Sequence, residues 1–140
     1  MKTVFQILVL VVILMISTSC KKDDSPAVNT LYNTWEVKEF ISILSVNYPK
    51  DPDNKLLLTF NEGETYQLKL DVNTCSGKFE SNVENLIEID FPACTQACCD
   101  SEFSNKFTAL LPSVTSYSIK EKTLDLNVPN WGTIRLKLVE

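Results

Sequence analysis

Tyr117-Ser118-Ile119-Lys120-Glu121-Lys122-Thr123-Leu124-Asp125-Leu126-Asn127-Val128-Pro129-Asn130-Trp131-Gly132-Thr133-Ile134-Arg135-Leu136-Lys137-Leu138 decides the fold class. Tyr117 and Ile119 precede Glu121-Lys122. Leu124, Leu126 and Val128 run into Pro129-Asn130-Trp131-Gly132. Ile134, Leu136 and Leu138 follow. A period of two puts each apolar set on one face of a strand, and turn-forming residues separate the second set from the third. The stretch predicts a meander of three short antiparallel strands, buried on one side and wet on the other.

The same rhythm extends upstream. Tyr66, Leu68, Leu70 and Val72 alternate with Gln67, Lys69 and Asp71, and Leu56 to Phe60 is a short apolar run. With Asn61-Glu62-Gly63-Glu64 between them, these predict a hairpin of about 56–60 with 65–72, turned at Gly63 with φ > 0. Ile87, Ile89 and Phe91 alternate with Glu88 and Asp90. Trp35, Val37, Ile41 and Ile43 are placed on one face of an early strand that Glu39 interrupts. One segment breaks the period. Phe103, Phe107, Leu110 and Leu111 form a single helical stripe, which predicts a helix over about 100–111 with Asp100 as N-cap and Pro112 as its end. The inventory is mainly β: a curled antiparallel sheet or small β-barrel with one short α-helix as a plug.

The N-terminal segment reads as an address. Lys2 supplies a positive charge, and Ile7 to Ile16 is an unbroken apolar run, shorter than the ~20 residues a membrane-spanning helix needs. Ser17-Thr18-Ser19-Cys20 follows. A secretory signal ending in small residues and Cys resembles the lipobox of bacterial lipoproteins, although Ser17 stands where that family has an aliphatic residue. The resemblance implies a signal peptide over 1–19, cleavage before Cys20 and diacylglycerol on the Cys20 thiol. Two or more acyl chains give a stable anchor. Lys21-Lys22-Asp23-Asp24 resembles the export tag of surface lipoproteins in one phylum of Gram-negative bacteria. The two resemblances together imply a place in the cell envelope, as an outer-membrane lipoprotein exposed at the surface. Residues 20–29 form the lipidated Cys and a flexible tether, and 30–140 the folded domain.

Composition narrows function. The 140 residues carry 13 Lys and Arg, 18 Asp and Glu, and no His, for a net charge of −5. An acidic chain is a poor match for nucleic acid. Without His, neither Ser-His-Asp nor Cys-His catalysis nor a His-ligated metal is available. The three glycines, Gly63, Gly77 and Gly132, are too scattered for a phosphate loop. Asp51, Asp53 and Asn54 read as a solvated turn, since a Ca²⁺ site needs six to eight oxygens. Glu88 and Asp90 read as a solvated strand face. Trp131, in a turn, caps the barrel mouth or touches a partner.

Asn73-Thr74-Cys75-Ser76-Gly77-Lys78-Phe79 resembles the Asn-x-x-x-Gly-x-Tyr/Phe signature of the META domain (HslJ-like) family. Thr95-Gln96-Ala97-Cys98-Cys99 resembles its Thr-x-Met-Ala-Cys segment, with Ala97-Cys98 in place of Met-Ala. Phe107, Leu110, Val114, Tyr117, Ile119, Leu124 and Leu126 follow the family's spacing, and Trp35 matches its early Trp. The chain has Asp71-Val72 where the family often has Gly-Cys. The resemblance spans about 30–140 and implies the lipocalin-like barrel, a role in envelope stress tolerance, and no enzyme activity or cofactor.

Cys75, Cys94, Cys98 and Cys99 in an exported chain of this size read as disulfides. Adjacent cysteines rarely bond each other, which leaves two connectivities open. The resemblance favours Cys75–Cys99 with Cys94–Cys98, because Cys99 occupies the family's Cys position. The expected function is a non-catalytic, lipid-anchored binding or assembly module for an envelope protein or small molecule. The alternatives are a small-molecule pocket inside the barrel and, less favoured, a thiol-redox protein using Cys98 and Cys99.

Overall fold

The computed structural model describes residues 30–44 and 48–140. The signal segment, the tether and Cys20 lie outside the described residues. Among these residues nine strands follow in order as β1 (Thr34–Ser42), β2 (Leu57–Asn61), β3 (Thr65–Lys69), β4 (Thr74–Ser81), β5 (Ile87–Ile89), β6 (Ala93–Cys94), β7 (Ser116–Lys120), β8 (Thr123–Val128) and β9 (Gly132–Leu138). Among the described residues one helix, α1 (Glu102–Leu110), precedes β7 and runs into a 3-10 turn at Leu111–Ser113. The strands form one antiparallel sheet in the order β5-β4-β3-β2-β1-β9-β8-β7, with β6 on the edge of β4 beside β5.

The sheet curls until its ends nearly meet. Leu86 bridges Ser116, the Ile87 N–H donates to the Thr115 carbonyl (3.0 Å) and the Tyr117 N–H to that of Asn85 (2.9 Å). This is the barrel-shaped, mainly β architecture with one short helix that the periodicity predicts. Side chains fill its interior. Trp35, Leu58, Phe60, Tyr66, Leu68, Phe79, Leu124, Leu126 and Ile134 are buried from the strands, and Phe103, Phe107, Leu110 and Leu111 from the helical segment. The Trp35 indole N–H donates to the Leu31 carbonyl (2.9 Å), so this large side chain is buried with its polar atom paired.

Two register shifts redirect side chains that strict alternation would send inward. In β1 the pairing with β9 slips by one residue between Val37 and Glu39. An extra residue reverses the faces beyond it. Phe40 therefore turns in, while Ile41 and Ile43, expected beside Trp35 and Val37, are 42% and 71% exposed. On the far edge, the three steps from Phe79 to Ser76 on β4 oppose the four steps from Ile89 to Ala93. That bulge ejects Phe91, which is 83% exposed instead of following Ile87 and Ile89 inward.

Other boundaries move for local reasons. The first hairpin turns with Glu64 at φ 56°, and Gly63 does not take the left-handed position. β3 ends at Lys69, because the Leu70 N–H turns to the Asn73 carbonyl (2.9 Å) and Val72 faces solvent. The α1 N-cap is Ser101, whose hydroxyl accepts from the Ser104 N–H (3.2 Å), and not Asp100. Pro112 sits in the first turn of the 3-10 segment, where its missing N–H costs little.

Candidate functional site

The two stretches that carry the family signature meet at one end of the barrel. Asn73 lies between β3 and β4 and is only 7% exposed. Its amide donates to the Ala97 carbonyl (2.7 Å) and to Asp100 Oδ2 (2.6 Å). Its carbonyl oxygen accepts from the Thr95 hydroxyl (2.8 Å) and the Ala97 N–H (2.8 Å). One side chain thus replaces a strand partner for the irregular segment 95–100. Asp100 Oδ1 accepts from the Val72 (2.9 Å) and Asn73 (3.2 Å) N–H groups, closing the contact from the other side.

Asp71 completes the arrangement. Its Oδ2 accepts from the Ser101 N–H (2.9 Å) and hydroxyl (2.6 Å), so a carboxylate rests on the positive end of α1. Partial burial pushes this carboxyl up, but the hydrogen bonds from Ser101 outweigh it and hold Asp71 below the usual carboxylate range. Sequence reasoning gave Asp71 no role and made Asp100 the helix cap. Both carboxylates fix the β3–β4 turn to the start of the helix.

Gly77 is the second signature position. A Cβ there would come within 2.6 Å of the Tyr66 ring across the β3–β4 pair. The Tyr66 ring covers the backbone at that point, and its hydroxyl donates to the Asp90 carbonyl (2.7 Å). Burial, aided by the Asp90 charge, pushes the Tyr66 phenol up to about 12.

The cysteines pair differently from the expectation. Cys75 in β4 stands directly opposite Cys94 in β6, Cα to Cα 4.0 Å, and the two form a disulfide. Cys99 is therefore not the partner of Cys75, nor Cys98 that of Cys94. Once β6 pairs with β4, Cys75 has a sulfur beside it, and Cys98 and Cys99 have only each other. The structure brings the sulfurs of these two neighbours into contact, the pairing set aside from sequence. Cys75 is buried, whereas Cys94, Cys98 and Cys99 are exposed.

Outside the barrel, β2, β3, β4 and β6 form a groove of about 700 Å³. Its polar lining comes from Thr59, Gln67, Lys69, Thr74, Ser76 and Thr95, beside the Cys75–Cys94 disulfide. A second feature is an aromatic cluster on residues of β1, α1 and the β8–β9 turn. Phe40 stacks on Phe103 (ring centroids 4.5 Å) and meets Tyr48 (5.8 Å) and Trp131 (5.7 Å) edge-on. The Lys106 ammonium lies 5.5 Å from the Tyr48 ring centre and 5.3 Å from that of Trp131. Trp131 is thus half-buried within the chain's own packing.

The remaining candidates fall apart as sites. Asp51 caps its own turn, accepting from the Asp53 N–H (2.9 Å) and the Asn54 amide (3.2 Å). Glu88 faces solvent opposite Glu80 on β4, and Asp90 lies beyond it. Among the described residues no group of three or more Cys, Asp or Glu side chains is placed to hold a metal ion.

A crystal structure of a DUF4847 family protein from Bacteroides vulgatus ATCC 8482 is similar in fold. The TM-score is 0.57 at 17% identity, covering 76% of this chain and 92% of that one. No curated protein matches the sequence. The model of the META domain matches residues 29–137, the span that holds Trp35, Asn73, Gly77, Thr95 and all but the last residue of the barrel strands. The chain belongs to the META domain family.

Proposed function

We propose that this is a non-catalytic, lipid-anchored envelope protein whose META domain is a binding or assembly module serving envelope stress tolerance. One observation carries the non-catalytic part: the signature residues are committed to structure. Asn73 spends its amide on Thr95, Ala97 and Asp100, Gly77 makes room for Tyr66, and Asp71 caps α1. The interior holds apolar side chains. Recognition therefore belongs to the outer surface. The lipobox-like Ser17-Thr18-Ser19-Cys20 and the Lys21-Lys22-Asp23-Asp24 stretch support an anchored, outward-facing placement of that surface.

The test is the intact mass of the protein from envelope membranes, alkylated without reduction. The expected species starts at Cys20, carries two or three acyl chains, and moves to the soluble fraction in Cys20→Ser. An unacylated chain with residues 1–19 attached would overturn the anchored reading. The groove of about 700 Å³ on β2, β3, β4 and β6 supports a second reading, small-molecule binding on the outside of the barrel instead of inside it. A ligand that protects Gln67 and Ser76 amides from hydrogen exchange would establish it.

A further inference from the structure

Cys98 and Cys99 are surplus to the packing around them. On their N-terminal side, Asn73 holds Ala97 through both its N–H and its carbonyl, at 2.8 and 2.7 Å. On their C-terminal side, Asp100 holds the Val72 and Asn73 N–H groups, and Asp71 holds Ser101. The covalent link between strands is Cys75–Cys94. None of these contacts passes through a Cys98 or Cys99 sulfur, yet the pins keep both cysteines side by side and exposed. Neither is in the hydrophobic core, whereas Cys75 is 4% exposed and part of it.

From this we infer that Cys98 and Cys99 form a reversible surface thiol–disulfide pair, separate from the Cys75–Cys94 staple, that exchanges with a low-molecular-weight thiol and its disulfide. In the reducing direction an external thiolate attacks one of the two sulfurs. A mixed disulfide forms, the Cys98–Cys99 bond breaks, and the released sulfur takes up a proton. A second external thiolate attacks the mixed disulfide at the external sulfur, which frees the remaining cysteine as a thiol and leaves the external disulfide. Two thiols are oxidised and the pair gains two electrons and two protons. Reclosure is the reverse. The same pins hold the loop in both states, so opening the pair leaves the barrel intact and changes only the chemistry of the surface.

The experiment equilibrates the purified full chain in buffers of stepped reduced-to-oxidised glutathione ratio, quenches with acid, alkylates, and maps modified peptides by mass spectrometry. The expected result is a range of ratios in which Cys98 and Cys99 are alkylated together while Cys75–Cys94 stays closed. The melting temperature there stays within about 2 °C of the oxidised protein, because loss of a contact outside the core is a small perturbation. Oxidised glutathione restores the pair. Phenylarsine oxide, which needs two neighbouring thiols, adds once at this pair in the reduced chain, and Cys98→Ser abolishes that addition. The inference fails if Cys75 and Cys94 open first or together with the pair. It fails equally if opening the pair lowers the melting temperature by 10 °C or more, or if oxidised glutathione does not reclose it.

Discussion

Replacing Asn73 by alanine removes four hydrogen bonds at once: two from the amide, to Ala97 and Asp100, and two to its carbonyl oxygen, from Thr95 and Ala97. A typical bond contributes about 1 kcal/mol net, and one to a carboxylate about 1.5–3 kcal/mol. The partners lie on an exposed loop and regain water when released, which reduces the total. A loss of about 3 kcal/mol follows, or ~12 °C in melting temperature for a domain of this size. The assay is thermal unfolding by circular dichroism at pH 7. Asn73→Asp sharpens it. The new carboxylate keeps an acceptor but stands at the position now 2.6 Å from Asp100 Oδ2. Its destabilisation should exceed that of Asn73→Ala at pH 7 and shrink toward pH 4, as one of the two carboxyls takes up a proton. A melting temperature for Asn73→Ala within about 3 °C of the parent would refute the view that the signature Asn is a structural pin.

Gly77→Ala should cost about 2–3 kcal/mol in chemical denaturation, because the Tyr66 ring is packed and tethered to Asp90 and cannot yield; a midpoint matching the parent would mean that the ring moves freely. Opening Cys75–Cys94 by the double serine variant should cost about 3 kcal/mol for a link 19 residues apart, whereas Cys98→Ser/Cys99→Ser should cost under about 1 kcal/mol; equal losses would make both bonds structural. Tyr66 has its folded-state phenol raised to about 12, so the stability it contributes is whole below pH 10 and lost as pH rises from 10 to about 12. Tyr66→Phe should remove that part of the alkaline decline, and difference absorbance at 295 nm should show a phenol missing from the high-pH transition; a Tyr66 that ionises near 10 in the folded chain would contradict it.

Much of the fold was legible because period-two alternation is a local property. Leu124, Leu126 and Val128, then Ile134, Leu136 and Leu138, announce two strands without reference to any other part of the chain, and the structure places them in β8 and β9. The stripe of Phe103, Phe107 and Leu110 announces α1 in the same way, and all three are buried. The signature residues were legible as a resemblance, but their task was not. That Asn73 reaches Ala97 and Asp100, some 24 and 27 positions away, is visible only when β4 and α1 are brought together.

The sequence by itself determined the class of this protein: a mainly β domain with one helix, behind a segment that reads as an export address. Tertiary structure decided what alternation has no means to encode. One extra residue near Lys38 turned Phe40 inward and Ile41 outward, and another around Phe91 put that ring in solvent. Those slips depend on the register of a strand against its neighbour, set by packing across the whole sheet. Cysteine pairing followed from the same cause. Which sulfur lies opposite Cys75 is a matter of which residue of β6 pairs with it, and the register chose Cys94.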